Sequence, residues 1–448
     1  MISKYNPKWQ RLSKLYKIND LAFQGEWSLK HSDIIKELIL PTDTMDDPKN
    51  PKREYLWERY KQSALYTNYP SKYLKQALGL ATKEKYELQL PPAMQKIEDY
   101  ATVENLSLGA VETELLEYVI KFGSALLITR IPDEVEIASD TPKIEVIPGC
   151  DVLDAETYYD KNAGLDRFKR VVYYKQEYEW DSQSNSYTQG KIYIYVKGLD
   201  VEGVYFEAKM IEEAYPKFNF EFPEESKDSC VSLSYPMWIS PIDFIPAVYV
   251  NKDTLKLEWK ESPIQNLIDT SLSIFQMTAD MRFLMHQQSS STLVISGTDM
   301  EGKSVRTGVG NVLNLTDTGS KGEYIAPSVA GLNAMQSALT EAHELAKADL
   351  LNLVDVGKQA SGEALALRIS DKTSELVAIV NSVGKAIQRE LEMIGIIMNQ
   401  NIDQIIFTPY INFGNISSQE QDETTEEVDS NNQDENINRN NEEVPQEQ

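Results

Sequence analysis

The stretch that decides the fold is SPIQNLIDTSLSIFQMTADMRFLMHQQ, residues 262–288. Ser262 stands where a helix N-cap is expected, Pro263 follows at the first helical position, and Gln265 occupies the third, which is the pattern of a capping box. Apolar residues then recur at helical spacing, at positions 264, 267, 268, 275, 281 and 285. The pattern predicts a helix over residues 263–288, roughly 39 Å long at about 1.5 Å per residue.

Two further long helices are expected after this one. The first, over 329–353, has apolar residues at positions 332, 335, 339, 342, 346 and 350. The second, over about 363–400, follows Ser361 as its cap and has apolar residues at 376, 380, 383, 387, 391, 394 and 398. Such a seam is typical of a helix face packed in a core, and a free-standing coiled coil is the alternative.

Short segments separate these helices. A compact insert over 289–328 contains strand-like residues at 292–295 and 311–315 with Gly-rich turns beside them. Residues 354–360 form a short connection, and 405–411 predict a last strand.

Residues 1–262 mix helical and strand patterns. Helices are expected at 55–65, 73–81 and 107–122, and Gly123 should end the last of these. Strands are expected at 125–129, 144–147, 170–174, 191–196, 204–208 and 241–250, with a polar hairpin loop at 181–190. The predicted fold class is α+β.

Composition excludes several classes of protein. No run of 18 apolar residues exists, so no membrane span is expected, and no apolar segment follows the first residues as in a secretory signal. Cys150 and Cys230 are too few for a disulfide framework and fit buried thiols in a reducing compartment. There is no phosphate-binding P-loop and no Gly-x-Ser-x-Gly elbow, and the three histidines are isolated from both cysteines. Neither catalysis nor a cofactor nor a metal is expected.

The charge is strongly negative and uneven. The chain carries −26, and residues 416–448 hold eleven acidic residues against Arg439. That composition predicts a disordered acidic tail, and its removal leaves −16 on the folded part. Tight sequence-independent DNA binding by the whole surface is therefore not expected.

The succession of an α+β region, long helix, small insert, long helix, short loop and very long helix resembles the portal proteins of tailed bacteriophages. Four stretches carry the resemblance in fixed order over about residues 55–412. They are the helix–Gly–strand passage of 115–130, the run DFIP at 243–246 leading through Pro263 to TLVISG at 292–297, YIAPS at 324–328 followed by Gly331-Leu332, and QASGEAL at 359–365. The last is similar to the Ser-Gly-x-Ala-Leu signature that follows the portal tunnel loop.

The resemblance implies a portal fold with named regions. Residues 1–262 would form an α+β wing, 263–288 and 329–353 two stem helices, 289–328 a small clip, and 354–362 the tunnel loop. Residues 363–415 would hold a long wing-spanning helix, the last strand and a reduced crown, with 416–448 as the tail. No sizeable helical domain follows residue 412, so the crown is expected to be small or replaced by the acidic tail.

The resemblance also implies a function and partners. Portal subunits form a homo-oligomeric ring, usually of twelve, at one capsid vertex of the virion, assembled in the host cytoplasm. The ring passes double-stranded DNA without sequence specificity. Its expected partners are the large terminase subunit, the head–tail adaptor protein, the major capsid protein and scaffold.

Site residues follow from position in this pattern. The tunnel loop would contain Val354, Asp355, Val356, Gly357, Lys358, Gln359, Ala360 and Ser361. Docking of terminase or adaptor would use the clip residues Thr292, Val294, Val312, Leu313, Leu315 and Tyr324. The candidate DNA-contacting residues are Lys303, Arg306, Lys321, Lys347 and Lys358. Solvated lysines or intersubunit ion pairs are the alternative for each, and the expected bore is acidic with isolated basic rings.

Two other functions stay open. One is a different phage structural protein, an adaptor or scaffold without a DNA channel. The other is a helical enzyme with a substrate site in the first domain, which a cluster of perturbed carboxylates in a deep cleft would favour.

Overall fold

The computed structural model describes residues 5–41, 45, 47–132, 141–161, 164–177, 180–181, 186–187, 190–238, 241–288, 292–296, 321–325, 330–350 and 362–411. Helix and sheet are both abundant in these ranges, and the predicted α+β class is confirmed.

The helices of these ranges are α1 Pro7–Gln24, α2 Glu26–His31, α3 Ile35–Leu38, α4 Arg53–Ser63, α5 Tyr69–Ala81, α6 Lys96–Asp99, α7 Leu108–Phe122, α8 Gln265–Gln288, α9 Ala330–Ala348 and α10 Gly362–Ile397. The strands are β1 Glu87–Gln89, β2 Ser124–Arg130, β3 Lys143–Pro148, β4 Val152–Asp160, β5 Leu165–Glu177, β6 Trp180–Asp181, β7 Ser186–Tyr187, β8 Lys191–Leu199, β9 Tyr205–Ile211, β10 Ser232–Ser234, β11 Ala247–Asn251, β12 Thr292–Ser296, β13 Lys321–Ile325 and β14 Ile406–Thr408.

The strands form antiparallel sheets. A five-stranded sheet has the order β10-β9-β8-β5-β4, and a three-stranded sheet has the order β11-β2-β3. Three strand pairs complete the described topology: β1 with β14, β12 with β13, and β6 with β7. The 181–190 segment is therefore not loop throughout, because Asp181 pairs with Ser186.

Local interactions fix both ends of α7 and therefore the point at which the chain passes into β2. The Ser107 side chain accepts a hydrogen bond from the backbone of Ala110 at the start of α7. Gly123 ends the helix with φ of 74°, and a Cβ at this position would lie 2.2 Å from the Glu261 carbonyl oxygen. Only glycine suits both the backbone angle and the space, so the predicted helix–Gly–strand motif is confirmed.

The long helix α10 packs into the main core against β11, β2 and α7. The seam residues Leu376, Val380, Val383, Ile387, Leu391 and Ile394 are all fully buried. The seam is therefore a core face, and the coiled-coil alternative is wrong for this part of the helix.

Helices α8 and α9 pack side by side, with β12 and β13 paired between them along the chain. Helix α8 is also covered on a second side by α4 and α5. Phe275, Ala279 and Phe283 of α8 form a separate core with apolar residues of 29–64, among them Leu29, Ile35 and Tyr60. The first 64 residues thus brace the half of α8 that leads to β12.

Three sequence predictions need correction. The capping box is incomplete: Ser262 accepts from the Ile264 backbone at 3.2 Å, but the Gln265 side chain exchanges hydrogen bonds with Asn19 instead of returning to the cap. The strand predicted over 241–250 spans only Ala247–Asn251, since Pro241 and Pro246 have no N–H for a ladder. Helix α9 ends at Ala348, earlier than expected, and residues 351–353 lie outside the described ranges.

Candidate functional site

Helix α9 has two faces of different chemistry. Its apolar positions pack towards α8: Leu332, Met335, Leu339 and Ala342 are partly buried, and Ala346 is fully buried. The steps of three and four that bury these residues place polar residues on the other side. An open groove of about 490 Å³ is lined there by Asn333, Gln336, Ser337, Thr340, Glu341 and Glu344. We call these six residues the polar face of α9.

The polar face is negatively charged. Two carboxylates, Glu341 and Glu344, line the groove, and none of its lining residues is a cation. Lys347 follows one turn after Glu344 and is exposed. This arrangement places negative charge in the second half of the helix and one cation in its last turn.

His343 ties α9 to the rest of the molecule. Its Nδ1 lies 2.8 Å from the Tyr69 hydroxyl at the start of α5, and the two rings meet edge to face. Burial, and to a smaller extent the nearby Lys347, lowers the pKa of His343. The neutral ring therefore serves as a hydrogen-bond partner that positions the helix.

The structure separates the two candidate DNA-contacting residues that it describes. Lys321 is exposed at the first position of β13, before α9, and Lys347 is exposed in the last turn of α9. The helix between them is about 28 Å long at 1.5 Å per residue. Lys303, Arg306 and Lys358 lie outside the described residues, as does the whole tunnel loop from Val354 to Ser361.

Half of the candidate clip residues fall on the β12–β13 pair. Thr292 stands opposite Ile325, Val294 opposite Glu323, and Tyr324 opposite Leu293. Because successive positions of a strand alternate between faces, positions 292 and 294 share one face of the pair and position 324 belongs to the other. Val312, Leu313 and Leu315 lie outside the described residues.

A buried carboxyl group on α10 was missed by the sequence reasoning. Glu390 is fully buried; the Thr129 hydroxyl donates to its Oε1 at 2.5 Å, and its Oε2 has no hydrogen-bond partner among the described residues. Burial raises the pKa of Glu390 to about 8, although Thr129, Lys197 and Arg389 act in the opposite direction. The signal for this buried acid was its position: Glu390 lies three residues after Ile387 and four before Ile394, at the spacing of the apolar seam.

Burial also raises the pKa of four other carboxyl groups: Asp20, Glu112, Glu114 and Asp151. Burial raises the pKa of Glu112 on α7 to about 7. It raises the pKa of Asp151 to about 6, beside Cys150 and Tyr174. Asp20 contributes to the raised pKa of both Asp151 and Cys150, so these three groups are neighbours. No other acid contributes to the raised pKa of Glu112 or Glu390.

The described residues contain no group of three or more His, Cys, Asp or Glu arranged to hold a metal ion. Cys150 and Cys230 are both free. Within the same part of the chain, no helix has the length and apolar character needed to cross a membrane.

A family model described as a domain of unknown function, DUF4055, matches residues 263–395. The match begins just before α8, includes β12, β13 and α9, and ends within the last turn of α10. This family is uncharacterised and commonly phage-associated. No curated protein matches the chain.

Proposed function

We propose that the chain is the portal ring subunit of a tailed phage, which forms the DNA channel at one capsid vertex. The order of α8, the β12–β13 pair, α9 and α10 supports the assignment of stem, clip, stem and wing-spanning helix. The phage-associated family match covers this same segment. In this role the clip docks the terminase motor during packaging and the head–tail adaptor afterwards, while the wing contacts capsid protein and scaffold during assembly.

The observation that carries the proposal is the polar face of α9. A conduit must let DNA slide, and each Lys or Arg contact to phosphate would add affinity through counterion release. Glu341 and Glu344 instead repel a polyanion, and at a Debye length of about 8 Å in physiological salt this repulsion acts only near the wall. A rigid helix with such a face suits the wall of a channel through which DNA slides without being bound.

Exposed apolar side chains on the two proposed stem helices support the formation of a ring. Leu345 of α9 is 58% exposed and Met285 of α8 is 51% exposed, although both lie on long helices of the bundle. Neighbouring copies in head-to-tail contact would cover such residues, and contacts of this kind close into a ring when the rotation permits.

Mass and shape of the purified protein test the proposal. Light scattering on a sizing column is expected to give a particle of about twelve chains, and negative-stain images should show rings with a central hole. A stable monomer at high protein concentration would contradict the proposal. A closed assembly without a hole would also contradict it, and would favour another phage structural protein such as an adaptor or scaffold.

A further inference from the structure

Positive and negative residues are distributed unevenly along this chain. Residues 1–85 contain 16 Lys and Arg against 10 Asp and Glu, whereas residues 86–411 contain 27 against 49. Residues 412–448 contain one cation, Arg439, against eleven acids. The two ends of the chain therefore carry opposite net charge.

Part of the N-terminal positive charge is concentrated on the exposed side of α5 and the turn after it. Residues 69–85 contain four lysines and a single acid, Glu84. The buried side of α5 holds Tyr73, Leu74 and Ala77, so the lysines are left on the outside. Lys72, Lys75 and Lys83 are all exposed, and we call them the α5 lysines.

The α5 lysines have few partners of their own. No ion pair engages any of the three within the described part of the chain, and Lys72 lies 5.3 Å above the Tyr69 ring. Lys85, by contrast, is paired with Glu98. The cations of α5 are thus available to an external polyanion.

The acidic segment begins next to this surface. Strand β14 pairs with β1, which places Thr408 opposite Glu87, and the Tyr410 hydroxyl is hydrogen-bonded to Glu84. The chain therefore enters residues 412–448 beside the turn that carries Lys83. A segment of 37 residues spans up to roughly 120 Å when extended, at about 3.3 Å per residue, whereas α5 is only about 20 Å long.

We propose that the acidic segment 412–448 docks on the α5 lysines of its own chain. A single exposed ion pair contributes only about 0.2–1 kcal/mol, but a tether that starts at the surface gives an effective concentration in the millimolar range. Several carboxylates can then exchange among the three lysines without one fixed geometry. The docked segment would keep this surface from binding passing nucleic acid. The inference does not depend on whether the protein forms a ring.

Zero-length carboxyl–amine cross-linking of the full chain, read by mass spectrometry, tests the proposal. At low salt, carboxylates of 412–448 are expected to link to Lys72, Lys75 and Lys83 in preference to the exposed control lysines Lys161, Lys217 and Lys256. The links should be lost near 1 M salt, where the Debye length falls to about 3 Å. Mixed isotopically light and heavy protein should give links mainly within one chain. Equal linking to the control lysines, or links mainly between chains, would overturn the proposal.

A second measurement does not rely on lysine variants that could alter folding. In a full-length variant with the eleven acids of the tail replaced by Asn and Gln, acetylation of Lys72, Lys75 and Lys83 should become several-fold faster than in the wild type. Lys217 and Lys256 should react at unchanged rates. Unchanged acetylation of the α5 lysines would contradict the docked state.

Discussion

Glu390 is an acid in the middle of an apolar helix face, and its burial favours the protonated form. The folded pKa of about 8 lies above the ordinary value of 4.5, so the folded state holds this proton more strongly than the unfolded state. Stability from this group is fully present below pH 4.5 and is lost as the pH rises to 8. At about 1.4 kcal/mol per pKa unit, the loss is up to roughly 5 kcal/mol.

Glu390→Gln should remove this part of the pH dependence, because glutamine keeps the shape of the protonated acid without titrating. We expect urea unfolding of the wild type to show falling stability between pH 5 and 8, and the variant to show a flatter profile. Glu375→Gln, at an exposed site of the same helix, should behave as the wild type. Equal slopes for Glu390→Gln and the wild type would show that Glu390 is ionised in the fold.

Gly123 offers a second test at a single residue, with a matched control in the same chain. Gly123→Ala places a Cβ against the Glu261 carbonyl at a left-handed φ, whereas Gly164 has a similar φ of 67° with nothing within 4 Å. Gly164→Ala should cost about 1 kcal/mol from the backbone conformation alone. Gly123→Ala should cost about 3 kcal/mol, since backbone atoms must also move. Thermal unfolding of both variants measures the difference, and equal losses would contradict the packing described for Gly123.

The sequence predicts a helix end only where the residue that ends the helix acts on its own helix. Gly123 acts on its own helix and was predicted correctly as its end, whereas Ser107 was placed inside the helix that it caps. Gln265 has the right spacing for a capping box but bonds to Asn19, which is 246 positions away. No local pattern encodes that competition between a cap and a distant amide.

At the scale of elements, the polar face of α9 carries the functional prediction. Glu341→Lys combined with Glu344→Lys would replace two repulsive charges per chain with two cations that can contact phosphate. We expect the assembled protein to bind double-stranded DNA more tightly, with a steeper dependence of affinity on salt, because each added phosphate contact releases counterions. Fluorescence anisotropy at several salt concentrations measures both quantities.

The control for this pair is Glu104→Lys with Glu213→Lys, which makes the same charge change at exposed sites outside α8 and α9. The control should raise DNA affinity much less than the α9 pair. Equal effects of the two pairs would mean that net charge alone governs DNA binding and that the α9 face has no special position.

Helices and strands whose apolar residues repeat regularly were predictable from the sequence. Those that depend on contacts with distant parts of the chain were not. The buried seam of α10 and the α7–β2 passage were predicted because their apolar positions repeat at short range. Helix α1 was missed because its buried stripe of Leu12, Tyr16, Asn19 and Phe23 includes a polar residue. Helices α2 and α3 were missed because, at six and four residues, they are too short to show a helical period. Strand β4 was missed since its second half is half-exposed and rich in Tyr and acids.

At the scale of the whole molecule, helices α8 and α9 have different neighbours on their different sides. One side of α8 is braced by α4 and α5 and another by α9, and the polar face of α9 is exposed within the part of the chain that the structure describes. In a ring, this order places the N-terminal helices and the α9 face on different sides of α8. We expect the bracing helices outside and the α9 face towards the axis.

A reconstruction of the purified particle by electron cryo-microscopy tests this arrangement most directly. We expect a ring whose channel is wide enough for a DNA duplex, with Glu341 and Glu344 facing the opening and Leu345 covered by a neighbouring copy. A particle without such a channel, or a ring in which the polar face of α9 is buried between subunits, would contradict the account.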